Sequence, residues 1–552
     1  MQNQGKIKVP SVIVAHLIRG LYRSNATTFK ELVSNAFDAD ATEVRIDTNF
    51  PEFDFLSCVD NGKGMSKEIF LRHFNEKGIG SSTKRKGDNQ FTPIYHRPII
   101  GRLGIGMLAI GQLCHSFEIE SHYLDEDGKG QAYHAVIILE DEGIKTVEEQ
   151  EKDSGFIHGD LEVGTWQMTE IEYEEEKKGL SIITNDVRAT FRREMKQSLE
   201  KNGKSLIDKI RFNQRKINDE FFSVFENNGN KSILKWNTYL ETIWELSILC
   251  PLPYYEDSNT TQNEKKIVCP IDFSKISQRY ENIKKFIEER QQQLKNYMFK
   301  VTFDGIDLKR LISLPSSNNL KPDAQELHLI DFDQEIYGRR LRFTGYIFAQ
   351  VPLAIIPWEL NGIQIRLKEV GIGKYDPSFL KYHEEIATIR SKWISGEIFV
   401  DEGLEAALTI NRDSFNEHEE HYKKLQKEIH KHIHSILSEA NNTAKKLSLE
   451  KKVVKTQLIQ TNITNLIEEQ TNNEFTVEQI SIPENDKTVI LDATKNKIII
   501  NIAHRNIKKE TSDALYKTIL AAYEVSKQLS ANEEEQKLFF ETTLKKIIQK
   551  LI

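Results

Sequence analysis

Hydrophobic and polar positions along the chain switch between the period of a strand and that of a helix, and these switches outline its elements. Residues 10–18 are an apolar segment that opens as a helix, and residues 53–59 are an apolar run that reads as a buried strand ending at Asp60. Strand-like runs follow at 117–120, 133–139 and 179–184. From 185 to 250 the pattern is charged and mostly helical, and residues 280–300 read as helix again, beyond a polar loop at 257–263. Residues 340–348 alternate like a half-buried strand, with further apolar runs at 363–373, 393–400 and 408–415. Tyr422, Leu425, Ile429, Ile433, Ile436 and Leu437 recur at three and four residues, which marks an amphipathic helix. His430 and His434 share a face of that helix, and they read as part of its solvated side rather than as zinc ligands. Near the end, strands at 487–492 and 497–502 flank a polar turn, and helices follow from 513 onward.

Length and charge narrow the picture. A chain of 552 residues suggests three or four domains, and 39% hydrophobic with 29% charged residues is the composition of an ordinary soluble protein. No apolar run reaches the ~18 to 20 residues of a membrane span. The polar amino terminus, Met1-Gln2-Asn3-Gln4-Gly5-Lys6, has no signal-like block behind it, so a cytoplasmic protein is expected. Cys58, Cys114, Cys250 and Cys269 are isolated, as reduced buried thiols are. The net charge of −8 is unevenly spread: 14 acidic and 2 basic residues lie between Glu140 and Glu176, a face that repels nucleic acid. Lys445, Lys446, Lys451, Lys452 and Lys455 cluster later, and a solvated helix face is the preferred reading of them.

The candidate chemistry lies in three short motifs. Glu31-Leu32-Val33-Ser34-Asn35-Ala36-Phe37-Asp38-Ala39 puts Glu31 and Asn35 four residues apart, on one side of a helix, where one orients water and the other holds magnesium. Asp60-Asn61-Gly62-Lys63-Gly64-Met65 sets a carboxylate at a strand end, where it can meet a base. Gly101-Arg102-Leu103-Gly104-Ile105-Gly106-Met107 removes side chains where backbone N–H groups approach phosphate oxygens at the start of a helix. A glycine-rich polar stretch at 78–88 reads as a mobile lid.

In this order and spacing the motifs resemble the N, G1 and G2 boxes of the GHKL ATPases, the superfamily of ninety-kilodalton heat-shock chaperones, MutL proteins, DNA gyrase B subunits, MORC proteins and sensor histidine kinases. The resemblance implies an α+β fold with a Bergerat-type α/β sandwich, and ATP and Mg2+ as ligands. It implies Glu31 as catalytic base and Asn35 on magnesium. Nucleotide contacts would come from Asp38, Asp60, Gly62, Gly64, Met65, Gly101, Gly104, Ile105, Gly106 and Met107, with Ser82 and Lys84 from the lid. The family's Gly-Thr pair has two candidates, Gly164-Thr165 and the 179–184 run; the second is preferred, with Thr184 carried as the candidate contact.

Residues 297–437 resemble, by the order of their runs, the middle domain of the heat-shock chaperones, whose loop arginine reaches the ATP of the first domain. Arg412 in Asn411-Arg412-Asp413-Ser414 matches that arginine and joins Glu31 as a catalytic candidate. The implied organisation is an ATPase domain at 1–185, a helical extension at 186–296, a middle domain at 297–438, a helical linker at 439–470 and a C-terminal module at 471–552. By resemblance the protein is a homodimer that closes like a clamp on ATP. It holds a protein client in the chaperone reading and nucleic acid in the MORC or MutL-like one, while a third reading makes it a nucleotide-binding switch in a larger complex.

Overall fold

A computed structural model describes residues 24–72, 74, 91–101, 106–139, 164–202, 238–254, 281–310, 325–351, 354–355, 358–382, 391–409, 412–471, 476–485, 489–492, 497–501, 503, 523, 526–527 and 530–551. The chain forms two compact units, 1–440 and 441–552.

In the first unit Ser24 opens helix α1 (Asn25–Asp38) as its N-cap, its hydroxyl accepting from Thr27 N at 3.3 Å. Phe29, Leu32, Val33, Ala36 and Phe37 bury the sheet-facing side of α1, and Asp40, at φ 57°, turns the chain out of it. The strands that follow are β1 (Glu43–Asp47) and β2 (Leu56–Asp60); a short helix α2 (Lys67–Leu71) and a 3-10 helix (Gly106–Gln112) come next. Then come β3 (Ser116–Leu124), β4 (Gly130–Leu139), β5 (Gly164–Ile171), β6 (Gly179–Thr184) and helices α3 (Ala189–Asn202), α4 (Thr238–Leu249) and α5 (Glu281–Asn296). Strands β7 (Lys300–Phe303) and β8 (Ile306–Asp307) complete an eight-stranded sheet in the order β5-β4-β3-β6-β2-β1-β7-β8. Neighbours are antiparallel except β1 and β7, which pair Glu43 with Lys300 and Ile46 with Phe303 in parallel. The sheet is therefore large and mixed.

Two expectations change here. β7 and β8, expected at the start of a middle domain, belong to this first sheet, because Val301 and Phe303 are fully buried and the Phe303 ring meets Phe29 edge-on at 5.3 Å. Helix α4, expected in a helical extension, is buried nearly all round: Tyr239, Leu240, Ile243, Trp244, Leu246, Ile248 and Leu249 are buried, and so are Thr242, Glu245 and Ser247. A helix of that kind is a core element, and it packs against α1, α3 and the second sheet.

The second sheet is built from β9 (Gln325–Ile336), β10 (Arg339–Gln350), β11 (Gly362–Leu367), β12 (Val370–Asp376) and β13 (Ile394–Glu402), in the order β12-β11-β13-β10-β9. The apolar run at 363–373 is a hairpin, turning at Lys368 and Glu369 with φ of 53° and 70°. Arg290 and Arg310 hold the Glu369 carboxylate at 2.9 and 3.2 Å. β11 and β13 run parallel and are buried on both faces. Their one charged pair, Arg366 and Glu397, is fully buried; Tyr254 and Tyr346 each donate to Glu397 Oε2 at 2.9 Å, and Arg366 Nη1 donates to Ile248 O at 2.7 Å, satisfying a carbonyl at the end of α4.

Helix α6 (Glu420–Thr471) begins in the first unit, where Leu425, Ile429, Ile433 and Ile436 are buried as their spacing predicts. His430 does not simply face solvent: its Nε2 lies 3.0 Å from the carbonyls of Phe379 and Leu380, and His434 Nδ1 lies 3.2 Å from Tyr382 Oη. In the second unit β14 (Thr476–Ile480) and β15 (Val489–Asp492) flank β16 (Lys497–Asn501), with helix α7 (Glu533–Leu551) beyond. No helix among the described residues is long and apolar enough to cross a membrane.

Candidate functional site

The site gathers on one side of α1, where Asn35 stands half-buried among fully buried neighbours. One turn earlier, Glu31 is 4% exposed. Arg412 Nη1 approaches its Oε2 to 3.5 Å, and Lys30 Nζ approaches its Oε1 to 3.8 Å. A carboxylate in so dry a place needs neighbouring cations, and it has two. Glu31 Oε1 and Arg412 Nε still lack a hydrogen-bond partner among the described residues. Lys30 is also buried, and burial pushes its ammonium pKa down.

The third motif is held against this helix from both sides. Asp38 accepts from Ile100 N at 2.8 Å and Gly101 N at 2.7 Å, while Arg412 Nη2 donates to Ile100 O at 2.8 Å. Both oxygens of Asp38 thus accept from the backbone of the motif. Upstream, Asp40 accepts from Thr92 Oγ1, Ile94 N and Tyr95 N. The buried guanidinium of Arg97 donates to Phe37 O and Tyr297 O and lies over the rings of Phe37, Tyr95 and Phe299. Burial lowers the Arg97 pKa to about 10, so it remains charged at neutral pH. Gly106 and Met107 open the 3-10 helix that packs on α1, where an α-helix was expected; two glycines in its seven residues weaken the α-helical alternative. Gly104 and Ile105 lie outside the described residues, as do Ser82 and Lys84 of the lid.

Asp60 ends β2, half-buried, and its Oδ1 accepts from Gly62 N at 2.8 Å. Met65, 5% exposed, exchanges hydrogen bonds of 2.9 Å with Ser121 through its N–H and carbonyl. Two glycines let this turn close. At Gly64 (φ +71°) a Cβ would stand 2.6 Å from His122 O, and at Gly179 (φ +132°) 1.9 Å from Asp60 O. The antiparallel register of β2 and β6 pairs Asp60 with Leu180 and Leu56 with Thr184. Thr184 is therefore four residues along the strand, roughly 13 Å from the Asp60 end. Its hydroxyl donates to Ser116 O at 2.6 Å and accepts from Asp186 N at 2.9 Å, which ties β6 to the start of β3. Thr165 is on the edge strand β5.

Lys30, Asp40 and Arg97 escaped the sequence reading. For Lys30 the available signal was its place beside Glu31 in an otherwise apolar-faced helix; for Arg97 it was adjacency to the third motif. Cys58, Cys114 and Cys250 are buried free thiols, and no cluster of three or more metal-ligating His, Cys, Asp or Glu occurs among the described residues.

Over 106 residues the chain is 39% identical to the "Putative type II restriction enzyme HgiDII" of Herpetosiphon aurantiacus, which covers 19% of this chain and 16% of that protein. The chain thus spans about a sixth of that relative's length. Residues 22–162, which carry α1, the Asp60 turn and the third motif, match the family described as "Histidine kinase-, DNA gyrase B-, and HSP90-like ATPase", and this segment is a GHKL-type ATPase domain.

Proposed function

We propose that the chain is a magnesium-dependent ATPase whose active site is completed by the Arg412 loop beyond the second sheet. The observation that carries this reading is the dry cluster of Lys30, Glu31 and Arg412 on the helix that also bears Asn35. Glu31 Oε1 has acceptor capacity to spare, as a group that orients an attacking water must. Arg412, beside Glu31, supplies in this reading the charge that balances that developing at a γ-phosphate. Asp60 accepts the adenine amino proton, and the backbone from Gly101 to Met107 meets the phosphates. Magnesium, held through Asn35, supplies neutralising charge on phosphate oxygens. Asp38 contributes by fixing the Ile100–Gly101 peptide.

ATP binding and turnover in this reading drive closure of a dimer around a macromolecule. The resemblance of 297–437 to a chaperone middle domain favours a protein client. The relative's name as a putative restriction enzyme, together with Lys445, Lys446, Lys451, Lys452 and Lys455, favours nucleic acid as a second reading. Magnesium-dependent phosphate release by purified protein tests the first claim, and no release above a Glu31→Gln control refutes it. Nucleic-acid binding across salt, with and without a non-hydrolysed ATP analogue, tests the second; a salt-insensitive baseline ends it.

A further inference from the structure

We infer that Lys30 is a positioning residue that tethers the Arg412 loop to the helix carrying Glu31; the inference rests on the ATPase reading. Lys30 Nζ donates to the backbone carbonyl of Arg412 at 3.3 Å and lies 3.8 Å from Glu31 Oε1. Its side chain is 2% exposed. Burying an ammonium is costly, and an apolar side chain of the same length would fill this space at lower cost. What only the ammonium does here is join the main chain of one element to the carboxylate of another.

The loop needs such a fastening. Arg412 has a left-handed backbone at φ 54°, a conformation disfavoured for a residue with a long side chain. On its other side the loop rests on β12, where a Cβ on Gly373 would stand 2.6 Å from Asp413 O. The guanidinium reaches Glu31 and Ile100 O, while the main chain of the loop is met by Lys30 at the Arg412 carbonyl and by Gly373 at Asp413 O. Lys30 thereby acts on the reaction through Arg412.

The test uses the full chain with Lys30→Met, Arg412→Ala and the double variant, read by single-turnover hydrolysis at saturating ATP and by amide hydrogen exchange. Lys30→Met is expected to slow hydrolysis about tenfold or more, with ATP affinity within about threefold of wild type. It should add nothing to the loss caused by Arg412→Ala. In the protein without nucleotide it should speed exchange of the Arg412 and Asn416 amides, which donate to Thr409 O and Ala407 O. Multiplicative losses in the double variant, or unchanged exchange, overturn the tether. Should Lys30→Met fail to fold, Gly373→Ala displaces the same loop from the opposite side; a loss independent of Arg412 then counts against the inference. A wild-type chain without turnover refutes the ATPase reading, and the exchange measurement still decides the tether.

Discussion

Arg412 Nη1 lies 3.5 Å from Glu31 Oε2, and Nη2 of the same guanidinium donates to Ile100 O at 2.8 Å. One side chain thus touches the helix of the first motif and the peptide that leads into the third, 312 positions before it. The contact makes the two ends of the first unit interdependent: a change in Glu31 alters the surroundings of Arg412, and the reverse.

That interdependence separates two substitutions of the base. Glu31→Ala removes turnover and leaves Lys30 and Arg412 buried without their counter-charge, a loss on the order of 3–5 kcal/mol when a buried pair is broken. Glu31→Gln removes turnover too but keeps the shape of the side chain and one acceptor oxygen, which can face only one of the two cations, so its stability loss is smaller than that of Glu31→Ala. Both variants should bind ATP if they fold. Calorimetric titration and thermal unfolding measured side by side check this; equal losses of binding and hydrolysis would count against Glu31 as the base.

Arg412→Ala should bind ATP nearly normally and hydrolyse it about 10³-fold more slowly, the scale of an arginine that stabilises phosphoryl transfer. A purely structural Arg412 predicts instead a stability change with little effect on rate. Single-turnover hydrolysis at saturating ATP decides, and a rate within about threefold of wild type ends the catalytic assignment.

Much of the site was legible because its spacings are local. The four-residue interval between Glu31 and Asn35 follows from helix period alone, and Asp60 follows from the end of an apolar run. What escaped was set by long-range contact. The parallel pairing of β1 with β7 joins Glu43 to Lys300 across the chain, and no local pattern distinguishes β7 from the first strand of a new domain. Lys30 and Arg97 are charged residues that patterning assigns to the surface; their burial depends on carbonyls of Arg412 and Tyr297 far away in sequence. The place of Thr184 opposite Leu56 is likewise set by strand register, which local pattern does not reveal.

Asp60→Asn tests the adenine contact. Asn keeps an acceptor for Gly62 N, bonded at 2.8 Å in the wild type, so the turn should survive. The other side-chain atom becomes a donor facing the adenine amine, and a donor opposite a donor loses the bond and leaves both unsatisfied, about 1–3 kcal/mol or roughly ten- to a hundredfold in affinity. Unchanged ATP affinity by calorimetry rules the contact out.

Asp304 ties the turn after β7 to the end of β1: its Oδ1 accepts from Thr48 N and its Oδ2 from Thr48 Oγ1, each at 2.7 Å. Burial pushes its pKa up from 3.8 to about 6, against the pull of those hydrogen bonds. The folded protein therefore holds this proton more tightly than the unfolded chain, so the group's contribution to stability is full below about pH 4 and falls as pH rises through about 6. A shift of about two units corresponds to about 3 kcal/mol across that window. Asn mimics the protonated acid, since its amide can donate to Thr48 Oγ1 while its oxygen accepts from Thr48 N, and it tolerates the left-handed backbone at φ 46°. Asp304→Asn should match the wild type near pH 4 and exceed it by about 1–3 kcal/mol at pH 7. Hydrogen exchange of β1 and β7 amides, corrected for the intrinsic pH dependence of exchange, reads the difference where it arises. Parallel protection for the two proteins from pH 4 to 7 would show that Asp304 does not carry a buried charge, and would detach the β7 turn from the pH response of the sheet.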